Sequence, residues 1–288
     1  MSQVKIGDQL VGDGAPCYIV GEIGINHNGD LGLARRLIDV AAIAGANAVK
    51  FQKRTVDVVY GAEELARLRD NPFGATNGDL KRGLEFGHDA YRNIDVYCKD
   101  KGIAWFASCW DEASVDFIEA FAPPAYKIAS ASLTDDELLR HHRRTGRPII
   151  ISTGMSTLAQ VDHAVEVLGT QDLVILHTTS AYPAKIPDLN LRMIPVLRER
   201  YGVPVGYSGH EVGLASSYAA AALGACMIER HITLDRAMWG TDQAASVEPQ
   251  GLMKLVRDVR VIEESLGDGV KRVTADEVPI MKKLRRVG

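Results

Sequence analysis

Short aliphatic and β-branched runs alternate with longer amphipathic stretches along the whole chain. The runs predict strands over residues 18–23, 48–52, 103–108, 125–129, 148–152, 173–177, 203–207 and 227–231. They are apolar almost throughout, which suits a parallel sheet buried on both faces. Between the first two, Leu33, Leu37, Val40, Ala41 and Ala44 recur at helical spacing, with Gly45 placed as a C-cap. Ser156-Thr157 opens a helix over 158–168, and Pro249 sits in the first turn of one running to Leu266. About eight β-then-α units without a break in composition predict a (β/α)₈ TIM barrel in a single α/β domain. A doubly wound open sheet is the alternative, but its usual Gly-rich first turn is missing. Ahead of the barrel, Val4 to Val11 predicts a short β-hairpin with Gly7-Asp8 at its turn, plugging the barrel bottom. From Lys53 to His88 the chain is too long for an ordinary connection, which predicts either a lid over the mouth or an ornamental excursion.

Composition narrows the partners. The 288 residues carry a net charge of -4, so no basic excess points to nucleic acid or an anionic membrane surface. The first residues, Met1 to Lys5, lack the apolar core of a signal peptide, and the Ala-rich stretch 218–223 is too short to span a bilayer. Cys17, Cys98, Cys109 and Cys226 are scattered without a CxxC, which predicts reduced thiols in a cytoplasmic protein. The cluster from Arg140 to Arg144 reads as a solvated helix end.

In a βα barrel, chemistry gathers at the C-terminal ends of the strands. His210 and His231 each lie at or near such an end. Two imidazoles on one barrel face are the minimum scaffold for Mn²⁺, Fe²⁺, Co²⁺ or Zn²⁺, and the alternative is a pair of hydrogen-bonded structural histidines. Lys50 and Lys127 interrupt apolar strands, where an unpaired charge is expensive. With the hydroxyls of Ser108, Ser130, Ser152, Ser180 and Ser208 they suit a phosphate or carboxylate. The alternatives are lysines reaching to the surface, or a Schiff-base lysine of the aldolase kind. Glu22 is the one acid on the first strand, either a proton-handling carboxylate or the partner of Lys50. Glu229 and Thr178 also stand at strand ends, without an assigned role.

The ordered motifs Gly21-Glu22-Ile23-Gly24-Ile25-Asn26-His27-Asn28-Gly29, Lys50-Phe51-Gln52-Lys53, Leu84-Glu85-Phe86 and Tyr126-Lys127-Ile128-Ala129-Ser130 resemble the N-acetylneuraminate (sialic acid) synthase family. So do Ile151-Ser152-Thr153-Gly154-Met155, Thr178-Thr179-Ser180-Ala181-Tyr182-Pro183, Gly206-Tyr207-Ser208-Gly209-His210-Glu211 and the run from Glu229 to Asp235. The resemblance implies a barrel enzyme that condenses phosphoenolpyruvate with an N-acetylmannosamine-type sugar aldehyde and releases phosphate. It implies a divalent metal on His210 and His231, Mn²⁺ first, with Mg²⁺ or Co²⁺ as alternatives. Glu22 would be the acid/base, with Lys50 and Lys127 completing the catalytic set. Ser108, Ser130, Ser152, Ser180 and Ser208 would join the lysines around phosphoenolpyruvate, while Gln52, Tyr182 and Asp242 would face the sugar.

Three departures qualify the resemblance. The sequence stops about where typical members pass through a linker into a C-terminal antifreeze-like domain, so a single barrel over residues 1–288 is expected. In such members that domain lends an arginine to the partner subunit's sugar site. A barrel-only homodimer, or a separate antifreeze-like polypeptide, would have to replace it. Ser132 stands where an acid is common, and Gln243 follows Asp242 where animal-type members tend to have histidine. The sugar is therefore open. A related synthase using another aldose to make a Kdn-like acid, and a non-catalytic sugar-binding barrel, are the competing readings.

Overall fold

The computed structural model describes residues 2–287. A hairpin, β1 (Gln3–Ile6) and β2 (Gln9–Gly12), precedes β3 (Tyr18–Gly24), α1 (Leu31–Ala44) and β4 (Ala48–Lys53). The excursion then carries α2 (Val56–Val59), α3 (Ala62–Ala66), the hairpin β5 (Leu68–Asn71) and β6 (Gly74–Thr76), and α4 (Asn77–Leu84). The regular alternation resumes with α5 (His88–Lys101), β7 (Ala104–Cys109), α6 (Glu112–Glu119), β8 (Tyr126–Ile128) and α7 (Asp136–Arg144). It continues through β9 (Ile149–Ser152), α8 (Leu158–Leu168), β10 (Leu173–Thr178), α9 (Met193–Tyr201), β11 (Val205–Gly209) and α10 (Ala215–Ala222). It ends with β12 (Met227–His231), α11 (Pro249–Leu266) and α12 (Glu277–Leu284).

Eight parallel strands close into a barrel, with β12 pairing β3 to seal it, so the (β/α)₈ expectation holds and the open sheet does not. Helix ends follow local chemistry. Asp30 caps α1 by accepting from the amides of Gly32 and Leu33, and Gly45 turns left-handed after it. Thr157 and Gln160 form a capping box on α8. Two strands start one or two residues later than their apolar runs, after Pro148 and Pro204, because proline has no N–H for the ladder.

Alternation along each strand sorts the barrel interior by height. Tyr18, Val20, Phe106, Ile150, Val174, Leu176 and Met227 form its lower, apolar layers. Val4, Ile6 and Val11 of the hairpin pack against them, closing the bottom as the sequence predicts. Further along the same faces come Glu22, Lys50, Ser108, Ser152, Thr178, Ser208 and Glu229, so polarity begins only at the C-terminal ends. Gly206 lies inward on β11, where a Cβ would meet the Met227 carbonyl oxygen at 2.5 Å.

Two expectations need correction. The 53–88 excursion has its own secondary structure and stands beside the mouth, Phe73 meeting the ring of Trp239 edge-on at 6.5 Å. Among the described residues, none from 54 to 88 lines the central pocket, so the excursion is a wall and not a cover. The stretch from Arg140 to Arg144 is not uniformly solvated. His142 is fully buried under the barrel wall, edge-on to Tyr126, with its Nδ1 bonded to the Leu138 carbonyl. Burial pushes its pKa down to about 4, so it serves the core as a neutral ring. His142 falls on the apolar stripe of α7 with Leu138 and Leu139, and the flanking charges mask this in sequence.

Arg230 points outward from β12 and is fully buried beneath α10. Its Nη1 lies 3.0 Å from Glu211 Oε1 and donates to Ser217 Oγ and the Gly213 carbonyl, while Tyr207 donates its hydroxyl to Glu211 Oε2. This clasp ties the segment after β11 to β12 from outside the barrel. Removing one partner strands a buried charge, so Glu211→Ala should cost about 3–5 kcal/mol, read as a lower denaturant midpoint at an unchanged slope.

Candidate active site

The strand ends surround a pocket of about 180 Å³. A wider cleft, about 610 Å³, lies outside the barrel at the N-terminal end of α11, but it holds none of the converging ionisable groups described below. Glu22, Lys50, Lys127 and Glu229 meet at the floor of the central pocket, all at least 96% buried. Lys50 Nζ lies 3.0 Å from Glu229 Oε1, 3.4 Å from Glu22 Oε2 and 3.2 Å from Ser108 Oγ. Lys127 Nζ lies 3.3 Å from the same Glu229 oxygen, and Ser208 donates to it at 3.0 Å. Neither lysine reaches to the surface.

Burial opposes every charge here, and pairing decides which survive. Burial works against the Glu229 carboxylate, but the ammonium groups of Lys127 and Lys50 overcome it and hold its pKa far below the usual range. Burial dominates at Glu22, lifting it to about 7 despite Lys50. Lys127 is pushed down by burial, which Glu229 only partly offsets. Lys50 goes the other way, because Glu22 and Glu229 together outweigh its burial. The floor thus holds one fixed carboxylate and one carboxyl able to exchange a proton near neutrality.

Above it stand His210 and His231, ring centroids 5.3 Å apart, with Tyr182 at 4.2 Å from His210. His210 Nδ1 meets the Thr179 carbonyl at 2.9 Å, which makes it the protonated nitrogen and leaves the Nε2 lone pair free. His231 Nδ1 is buried without a hydrogen-bond partner and lies 3.9 Å from Asp242 Oδ2. Burial lowers both histidines to about 3, His231 reinforcing the effect on His210, so both rings are neutral. Neutral imidazoles with an unshared lone pair fit a divalent cation. Among the described residues, no three His, Cys, Asp or Glu side chains form a ligating group, so the protein's share would be these two rings.

The remaining wall is small and polar. Ser152 Oγ is buried without a partner, and Gly154 donates its amide to Ser130 Oγ at 3.1 Å. A Cβ on Gly154 would lie 2.1 Å from Ser180 Oγ, so glycine is what lets this turn approach the serines. Gln52 donates to Glu22 Oε1 at 2.9 Å. Twelve of the thirteen residues singled out from sequence therefore line one pocket, and Asp242 stands at its rim beside His231. Of the other strand-end groups, His27 is not in the pocket; it stacks on Phe86 at 4.1 Å.

Glu229 is the principal residue without a role in sequence. Its signal was the two-residue alternation Met227, Glu229, His231, which points all three inward. Trp110, which belongs to no motif, and Met155, which ends the Ile151–Met155 motif without an assigned role, also line the pocket.

The NeuB family model matches residues 37–271. N-acetylneuraminate-9-phosphate synthase of Homo sapiens is 41% identical over 280 residues, covering 95% of this chain and 78% of that one. N,N'-diacetyllegionaminic acid synthase of Legionella pneumophila is 35% identical, covering 96% and 80%. The solved N-acetylneuraminic acid (sialic acid) synthetase of Leptospira borgpetersenii, in complex with citrate, superimposes with a TM-score of 0.87 at 31% identity, covering 99% of this chain and 98% of that one. With the barrel, the strand-end pocket and these likenesses in agreement, the chain belongs to the NeuB family.

Proposed function

We propose that the protein condenses phosphoenolpyruvate with an open-chain N-acetylmannosamine-type aldehyde, giving a sialic acid-like nonulosonate and phosphate. The observation that carries this reading is the convergence of two buried ammonium groups, a serine wall and a neutral histidine pair in one strand-end pocket. A trianionic substrate needs the first two, and a polarised carbonyl needs the third. The synthases named among the relatives support the product class.

Lys50, Lys127, Ser108, Ser130, Ser152, Ser180 and Ser208 bind the phosphate and carboxylate. Gln52, Tyr182 and Asp242 orient the sugar. His210 and His231 hold a divalent cation, Mn²⁺ by preference and Mg²⁺ or Co²⁺ as substitutes, which when bound polarises the aldehyde oxygen. The methylene carbon of phosphoenolpyruvate bonds to the aldehyde carbon, and Glu22 gives its proton to the aldehyde oxygen. Cationic character at C2 is met by water, whose proton returns to Glu22. The C2 hydroxyl then passes its proton to the departing phosphate as the C2–O bond breaks. The lysines stabilise the departing phosphate. The same reading places a homodimer in the cytoplasm, supported by four buried free thiols and by the prevalence of two-fold assemblies.

The reading is tested by phosphate release from phosphoenolpyruvate with Mn²⁺, screened over aldoses and N-acylated amino sugars. Turnover by the chain alone is expected. Turnover only after adding a separate antifreeze-like domain would assign closure of the sugar site to that module, and no turnover with any aldose would leave the binding-barrel reading.

Chelation should abolish turnover and Mn²⁺ restore it. His210→Ala combined with His231→Ala should remove both the activity and the cation affinity measured calorimetrically; parental behaviour would exclude the pair as ligands.

Lys127→Ala should weaken phosphoenolpyruvate binding by about 2–5 kcal/mol, since Glu229 then loses one of its two counter-ions. An unchanged KM and kcat would take Lys127 out of the site. The lowered pKa of Lys127 would also suit a Schiff-base lysine. Borohydride with pyruvate should leave the protein mass unchanged, and a covalent adduct would favour the aldolase chemistry.

A further inference from the structure

Arg54 follows the Lys-Phe-Gln-Lys motif of β4 and is 5% exposed. Every side of its guanidinium is engaged. Nη1 donates to the Tyr60 hydroxyl at 2.9 Å, and the plane lies 4.7 Å from the centre of the Trp110 ring. Nε lies 2.8 Å from Glu85 Oε1, an ion contact off the line of the N–H. Nη2 donates to Gln52 Oε1. The Glu85 of Leu84-Glu85-Phe86 thereby acquires a function in the same network, and it also receives Lys53 Nζ at 3.1 Å.

The donor order along this chain admits one solution. A guanidinium has donors only, so it requires the carbonyl oxygen of the Gln52 amide on its own side. The Gln52 NH₂ must then face Glu22, where it donates to Oε1 at 2.9 Å. A flipped amide would set donor against donor at Arg54 and acceptor against acceptor at Glu22. With Oε1 engaged, Oε2 is the oxygen of Glu22 left without a hydrogen-bond partner, and it faces Lys50 at 3.4 Å. A lysine at position 54 could supply charge but not the planar fork that meets Gln52, Tyr60 and Glu85 together.

We propose that Arg54, clamped by Glu85, Tyr60 and Trp110, is a positioning residue that locks the Gln52 amide with its NH₂ toward Glu22 and thereby aims the Glu22 carboxyl group into the pocket. Arg54 itself does not line the pocket, so it acts through Gln52. The inference rests on the sugar-facing role proposed for Gln52. It separates the two halves of the site: the sugar half depends on Arg54, and Ser152, Ser180 and Ser208, three or four strands round the barrel from β4, do not.

Arg54→Met tests this, because Glu85 keeps Lys53 as a counter-ion. Three measurements are compared with the parent. The sugar kcat/KM should fall by about 10–100-fold, the range for losing an outer partner of a site residue, while calorimetric affinity for phosphoenolpyruvate stays within twofold. Arg54→Lys should recover part of the loss. In a Gln52→Ala background the Arg54→Met change should cost at most threefold more, since the group it positions is gone. The side-chain amide protons of Gln52, followed by ¹⁵N-resolved hydrogen exchange, should exchange slowly in the parent and rapidly in Arg54→Met. Additive losses in the double variant, an equal fall in phosphoenolpyruvate affinity, or an unchanged Gln52 amide signal would each overturn the positioning role. The exchange measurement needs no substrate. A parent without turnover on any aldose would therefore sink the proposed reaction, and the amide signal would still decide the role of Arg54.

Discussion

A carboxylate sealed into the wall of a barrel cannot stay charged unless something of opposite charge is sealed in with it. Glu229 meets this condition through Lys50 and Lys127, both on one of its oxygens, with the Ser208 hydroxyl as a third donor. The arrangement works in both directions, since each lysine would also lose charge on burial without a carboxylate nearby. Removing Glu229 would leave Lys127 without its ion pair, and removing either lysine would leave Glu229 one counter-ion short. The four-residue floor is therefore best understood as a single electrostatic unit, in which the two lysines fix the charge of Glu229.

Glu22 differs from Glu229 in how its two oxygens are satisfied. Both carboxyls are equally buried, but the lysines sit closer to Glu229, and Gln52 occupies only one side of Glu22. The outcome is one permanently ionised acid and one that can hold a proton near neutral pH. Two carboxyls driven apart by their surroundings are what an enzyme needs when one must hold cations and the other must exchange protons.

Rigidity reaches the site from outside the barrel. The Glu211–Arg230 clasp lies on the outer face of β11 and β12, the two strands that deliver His210 and His231. The Arg54 network lies beyond the end of β4, the strand that delivers Lys50 and Gln52. In both places a buried arginine fork that does not itself line the pocket pins a strand end. This is an economical way to hold functional side chains to a fraction of an ångström, because planar guanidinium groups satisfy several partners in a fixed geometry.

Local sequence determined the eight strands, most helix ends and the hairpin plug, because period-two and helical patterns, caps and proline positions act over a few neighbouring residues. It also determined which strand ends carry chemistry, since a lysine or histidine inside an apolar run is conspicuous wherever the chain folds. What it could not determine is which of those groups would meet. Glu229 looks like one more polar residue beside His231 until barrel closure brings β4, β8 and β12 to a common axis, across 179 and 102 residues of sequence separation from Lys50 and Lys127. His142 looked solvated because its neighbours are charged, and only the packing of α7 on β8 shows it is core. The long excursion could be read as a lid or as an ornament because length is visible in sequence and direction is not. Charge pairing, burial and the side of the mouth on which a segment settles are properties of distance in space, and only the closed barrel sets those distances.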